Sequence, residues 1–159
     1  MKNKISNIVI IILSTIIVVY IGLMVFGYRI YAVKTSSMYP DIPKGSLAIA
    51  KKLSPDEVFE ELELGNDIVY RTSSGSNLTH RVIMLDEENG LIQTQGIREG
   101  SAKDAVIGPT SVLGKVSFSI PIVGYLVMFI QSQYFLIFAL CGIAMYVIIK
   151  LIIKQLKNN

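Results

Sequence analysis

A mainly β domain flanked by an N-terminal and a C-terminal transmembrane helix is the fold class that this 159-residue sequence predicts. Three observations point there. Long uncharged apolar runs stand near both ends, all the acidic residues lie between them, and the middle consists of short β-branched runs separated by turn formers. Hydrophobic residues make up 52% of the chain, charged residues 17%, and the mean hydropathy is +0.53. A soluble domain carries about 25% charged residues, so an ordinary soluble globule is excluded. The abundance of Ile, Val and Leu excludes disorder. One cysteine excludes a disulfide scaffold, and one cysteine with one histidine excludes a Cys/His zinc site.

The first element spans residues 1–28. No residue from Ile5 to Tyr28 is charged, and Ile8–Phe26 is nearly continuous Ile, Val and Leu. A helix needs about 20 apolar residues to cross a bilayer. A cleaved secretory leader has an apolar region of roughly 7–15 residues and then a small-residue site. This run is longer and ends in Phe26-Gly27-Tyr28-Arg29, which predicts a retained anchor.

Residues 29–120 form the predicted extracytoplasmic domain. Val33–Ser36, Ser46–Ala50, Asp67–Tyr70, Leu78–Leu85, Gly90–Gln95 and Ser111–Phe118 read as strands. Turn formers separate several of them, as in Pro40–Gly45, Ser73–Asn77 and Asp86–Gly90. The spacing fits a small barrel or sandwich. The acidic stretch Asp56–Glu63 reads as a solvated loop or short turn, and Met38 is expected to face lipid with the apolar residues of the outer strands.

Residues 121–159 close the chain. Val116–Ile149 is uncharged but is interrupted by Gln131-Ser132-Gln133, so the second span is expected at Tyr134–Ile153. Ile120–Ile130 then lies at the interface or continues the buried part, and Cys141 is a packing residue within the span. All twelve Asp and Glu lie between Arg29 and Ile120 with ten Lys and Arg, a block of net −2. The ends carry five Lys (2, 4, 150, 154 and 157) and no acid. By the positive-inside rule both termini are cytoplasmic and the middle faces out. Basic residues beside apolar ends, rather than on the folded part, argue against nucleic acid and for membrane lipid as a partner.

Three scarce residue types in the middle could carry chemistry. His80, the one histidine, lies within the strand-like run Leu78–Leu85. Ser37 follows Thr35-Ser36 in a polar turn before Pro40, and comes eleven residues after the apolar run, near the outer membrane surface. Asp104 sits in Gly100-Ser-Ala-Lys-Asp104. Taken singly, these are a strand histidine, a turn serine and a loop acid. Taken together they are the parts of an acyl-transfer site. A serine hydroxyl attacks only once a base takes its proton, an imidazole is the natural base near neutrality, and a carboxylate fixes the imidazole tautomer.

The same residues carry a family resemblance. Ser36-Ser37-Met38-Tyr39-Pro40, running on to Pro43-Lys44-Gly45-Ser46, resembles the nucleophile box of signal peptidase I. Gly65-Asn66-Asp67-Ile68-Val69-Tyr70 resembles the strand that follows it, and Thr79-His80-Arg81-Val82-Ile83 resembles the general-base box. Histidine at the usual lysine position marks the endoplasmic-reticulum/archaeal-type branch, which also occurs in Gram-positive bacteria. Val112-Leu-Gly-Lys-Val116, Ile120–Tyr125 and a second span resemble the end of those Gram-positive members, so the likeness covers nearly the whole chain. One box departs: Thr94-Gln95-Gly96-Ile97-Arg98-Glu99 lacks the family's Lys, first Asp and Asn, and Asp104 comes a residue or two late.

The resemblance implies a serine endopeptidase that cleaves leader peptides of exported pre-proteins after small residues, without metal or other cofactor. Ser37 is the implied nucleophile and His80 the general base. Asp104 is the implied orienting carboxylate, with Glu99 as its substitute. The Ser37 backbone N–H, helped by Thr35, is expected to hold the oxyanion. An extended substrate would pair with a strand edge, and association with the secretion translocon is a further expectation. The alternative is a catalytically weak or inactive signal-peptidase-like assembly factor for surface proteins or pili, a reading invited by the altered Gly96–Asp104 segment.

Overall fold

The computed structural model describes residues 2–158; the side chains of Lys2 and Lys157, part of the flanking positive charge, lie outside that description. Helix α1 (Lys2–Val25) leads into strand β1 (Tyr28–Ala32). Then come β2 (Leu47–Lys52), the short helix α2 (Val58–Glu61), β3 (Asp67–Arg71), β4 (Asn77–Asp86), β5 (Leu91–Gln95) and β6 (Val112–Ile120). Helices α3 (Val123–Ile130) and α4 (Gln133–Asn158) follow. Both α1 and α4 are long and apolar enough to cross a membrane, and none of their apolar windows is buried by the protein. Their large side chains, among them Ile11, Val18, Phe138 and Ile152, are exposed all round, which is what a lipid environment requires.

The six strands form one sheet in the order β1-β2-β6-β3-β4-β5, antiparallel at every step. A single sheet, with β1 and β5 at its edges, stands where the spacing suggested a small barrel or sandwich. Bulges at Ile49/Ala50, Val69/Tyr70 and Val82/Met84 interrupt its registers, and bulges bend strands and sharpen their twist. The main core gathers Leu53, Val58, Leu62, Ile68, Tyr70, Val82, Ile92 and Val112. A second, smaller cluster of Val33, Met38, Ile42 and Ala48 lies beneath the turn that carries Ser37.

Three expectations need correction. Asp56–Glu63 is not a solvated loop: Pro55–Glu57 and α2 are helical, and Val58 and Leu62 are core residues. Two apolar side chains four residues apart share one helix face, a signal hidden among five acids. The first strand is Tyr28–Ala32 rather than Val33–Ser36, because pairing with β2 continues straight out of α1 and ends at Ala32↔Leu47. Met38 does not face lipid, since the turn at 37–41 folds it inward to 0% exposure. Ile120–Ile130, expected at the interface or as a buried continuation, contains a separate helix, α3.

Helix α3 is docked by two glycines. A Cβ on Gly45 (φ +84) would run into the Tyr125 ring, and a Cβ on Gly124 would run into the Ser46 carbonyl. The turn that follows the Ser37 loop is therefore held against α3 at backbone distance. Between β6 and α3 the chain reverses at Ile122, whose φ of 71 is left-handed, with the Val123 N–H donating to the Pro121 carbonyl.

Candidate active site

Ser37 lies in the turn between β1 and β2, His80 in β4, and Asp104 on the return from β5. The sheet brings these three distant segments together. Ser37 Oγ is 2.8 Å from His80 Nε2, and His80 Nδ1 is 2.5 Å from Asp104 Oδ2. A carboxylate on Nδ1 holds the ring proton there, so Nε2 is left to accept from the Ser37 hydroxyl. The His80 side chain is 8% exposed and that of Asp104 18%, so both work largely out of water. Thr35 Oγ1 lies 3.0 Å from Ser37 Oγ. The Ser37 backbone N–H donates no hydrogen bond among the described residues. Glu99 is exposed, and both ring nitrogens of His80 are already engaged by Ser37 and Asp104.

The altered segment explains its own spacing. Gln95 bridges to Lys103, and the Asp104 N–H donates to the Thr94 carbonyl at 2.9 Å. Residues 96–102 therefore loop out, and the extra positions are absorbed before Asp104 returns beside β5. There the buried Thr94 hydroxyl donates to Asp104 Oδ2 at 2.6 Å and Gln93 Nε2 donates to the Asp104 carbonyl at 3.0 Å. The Tyr70 ring lies 6.5 Å from the His80 ring. Burial pushes the Tyr70 phenol up to about 12; the neighbouring Asp104 carboxylate adds to the rise, and a hydrogen bond with Thr94 opposes it.

The Ser37 turn is pinned from three sides. Arg81 grips Asp67 with two nitrogens (2.8 and 3.0 Å) and reaches Asp41 at 2.9 Å, tying the turn to β3 and β4. This fork raises the guanidinium's proton affinity, chiefly through Asp67. The Arg98 N–H donates to the Ser37 carbonyl at 2.9 Å and its side chain reaches Ser36 Oγ. Gly96 lies so close that a Cβ there would sit 2.8 Å from the Ser37 carbonyl oxygen and 2.9 Å from Ser37 Cβ. Thr94, Gly96, Arg98, Tyr70 and the Asp67–Arg81–Asp41 bridge had no assigned role in the sequence reading. Each stands inside or beside a quoted box, but only tertiary packing reveals which atoms touch. Among the described residues, no three His, Cys, Asp or Glu side chains gather as metal ligands.

No family model matches the chain. It is similar to signal peptidase I W of Bacillus subtilis (strain 168), at 27% identity over 131 residues, covering 74% of this chain and 67% of that protein. This distant likeness supports a protein of the signal peptidase type, with hydrolase chemistry and leader-bearing substrates.

Proposed function

We propose that the chain is a membrane-bound serine endopeptidase of the signal peptidase I type, using the Ser–His pairing of the endoplasmic-reticulum/archaeal branch. The observation that carries this is the unbroken line of hydrogen bonds from Ser37 Oγ through His80 to Asp104. Residues 1–28 anchor the chain, 29–120 form the extracytoplasmic catalytic unit with α3 packed against it, and 121–159 hold α3, the second span and a short basic tail. Both termini are cytoplasmic in this reading, because the flanking lysines stay inside.

In the reaction, His80 Nε2 takes the Ser37 proton as Oγ attacks the carbonyl of a small residue ending the leader. Asp104 stabilises the imidazolium that forms. The free Ser37 N–H and the Thr35 hydroxyl face the developing oxyanion; a donor so placed contributes roughly 3–4 kcal/mol in the transition state. His80 then gives its proton to the leaving amine, and water, activated by the same imidazole, releases the acyl group. The sheet offers a place for the substrate. β4 pairs with β3 along Asn77–Arg81 but with β5 only from Arg81 onward, and β1 pairs only with β2. The free edges of Asn77–His80 and of β1 run toward Ser37, and an extended peptide can hydrogen-bond between them.

The altered Gly96–Asp104 segment that invites a non-catalytic reading still returns Asp104 to His80, which favours the enzyme. The test is cleavage of a pre-protein bearing an Ala-x-Ala site by detergent-solubilised chain. Wild type cuts at that site, and Ser37→Ala and His80→Ala do not. Folded wild-type protein that cuts no better than Ser37→Ala overturns the reading.

A further inference from the structure

Between the free edge of β1 and the β3–β4 turn lies a polar cavity of about 530 Å³. Ile30, Tyr31, Lys34, Arg71, Asn77 and Gln131 are among its lining residues, and no acid lines it. Lys34 and Arg71 are exposed and make no salt bridge among the described residues, where the ion pairs involve Lys51, Arg81 and His80. Arg29 adds a third positive charge close to Tyr31. The cavity is therefore a cationic recess whose two lining charges, Lys34 and Arg71, have no ion-pair partner among the described residues.

Its position gives the recess a meaning. Lys34 stands three residues before Ser37, and Asn77 three residues before His80. Strand β4 advances about 3.3 Å per residue, so the Asn77 end of the recess lies roughly 10 Å along the groove from His80. Gln131, at the junction of α3 and α4, closes its membrane side. An extended substrate whose leader side runs along β1 toward Ser37, parallel to that strand, places here the residues about three to six positions before the cut.

We infer that this recess selects leader peptides carrying an acidic side chain in that stretch, between the leader's apolar core and the cleavage site. The inference rests on the peptidase reading above and names its substrate class. Lys34 and Arg71 pair with the carboxylate, while Asn77, Ser76 and Tyr31 supply polar contacts at the rim. Two exposed cations acting on one carboxylate are worth about a fivefold preference over a neutral isostere at low salt. A lysine at the same place meets like charge and is disfavoured by a similar factor. High salt erases both effects.

The experiment uses full-length chain in neutral detergent and three leader peptides that differ only in Glu, Gln or Lys four residues before the cut. Relative kcat/KM is read for wild type, Lys34→Gln/Arg71→Gln and Arg71→Glu, and peptide affinity is read separately by fluorescence anisotropy on Ser37→Ala. The order Glu over Gln over Lys is expected for wild type, flattened in the double variant and turned toward Lys in Arg71→Glu. Equal values for the three peptides, or a Glu preference that survives in the double variant, overturn the inference while leaving the peptidase reading intact. A Glu preference in anisotropy without any cleavage by wild type keeps the recess and overturns the peptidase. Vesicles of anionic lipid that bind wild type better than the double variant, with no discrimination among peptides, assign the cations to lipid phosphate and overturn the inference.

Discussion

Gly96→Ala tests how finely Ser37 is placed. Gly96 has an ordinary negative φ, so its backbone admits alanine, and the difficulty is one of space alone. The added methyl would sit 2.8 Å from the Ser37 carbonyl oxygen, 2.9 Å from Ser37 Cβ and 3.0 Å from Ser101 Oγ, whereas ordinary contact begins at 3.4 Å. Two of the three neighbours belong to Ser37 itself, and its carbonyl is already held by the Arg98 N–H. The turn must therefore recede by about 0.6 Å, taking Oγ away from His80 Nε2. Since a misplacement of about 1 Å costs on the order of a hundredfold, kcat should fall roughly 10- to 100-fold, or about 1.4–2.7 kcal/mol of barrier. The assay is steady-state cleavage of an Ala-x-Ala pre-protein, with thermal unfolding of the same samples. Gly108→Ala is the control, because nothing lies within 4 Å of its Cβ position, and it should behave as wild type. A Gly96→Ala enzyme within twofold of wild type in kcat would refute the claim that contact with Gly96 sets the position of Ser37.

Four further outcomes are expected. Asp104→Ala should lower kcat by roughly a hundredfold or more while Glu99→Ala stays within about twofold; the reverse order in the same cleavage assay would reassign the carboxylate. His80→Lys should fold and insert but lose at least about a hundredfold in turnover, because Asp104 beside the ammonium favours its charged form; wild-type turnover would remove imidazole from the mechanism. Tyr70 holds its proton more tightly folded than unfolded, so stability is flat below about pH 10 and falls as pH climbs toward 12. Denaturant unfolding of Tyr70→Phe should show a smaller alkaline decline than wild type, the remainder coming from Tyr31, whose phenol is also pushed up by burial. Ile122→Gly should stabilise by about 1 kcal/mol, because a β-branched residue at positive φ is strained, and an unchanged midpoint in thermal unfolding would show that the turn carries no strain.

Architecture was legible where the physics is local. Apolar runs of bilayer length announced α1 and α4, and β-branched runs between turn formers located five of the six strands to within a few residues. The first strand escaped because Tyr28-Arg29-Ile30-Tyr31-Ala32 follows α1 with only two residues between, so its alternation merged into the apolar run. Helix α2 escaped because five acids mask the pair Val58 and Leu62. Ser37, His80 and Asp104 stood out by scarcity and motif, and the sheet brings all three into hydrogen-bonding distance. The residues that hold them did not stand out. That Thr94 fastens Asp104, that Gly96 leaves room for Ser37, and that Arg81 spans Asp67 and Asp41 are consequences of register between strands far apart in sequence. Met38 was misjudged for the same reason, since whether a turn residue points in or out depends on how the turn folds back.

The contact between α3 and the Gly45–Ser46 turn bears on how a water-soluble version of this protein should be cut. Truncation at the end of β6 looks natural, because the two helices beyond it are mostly apolar. Such a fragment would lose Tyr125 and Gly124, the two residues that close on Gly45 and Ser46, and would bare the backbone just downstream of Ser37. Removing α1 and α4 while retaining Val123–Ile130, with its outward Leu126, Phe129 and Ile130 exchanged for polar residues, keeps that seam shut. The useful excision point is therefore Gln131, where α3 ends, and the helix before it belongs to the folded domain.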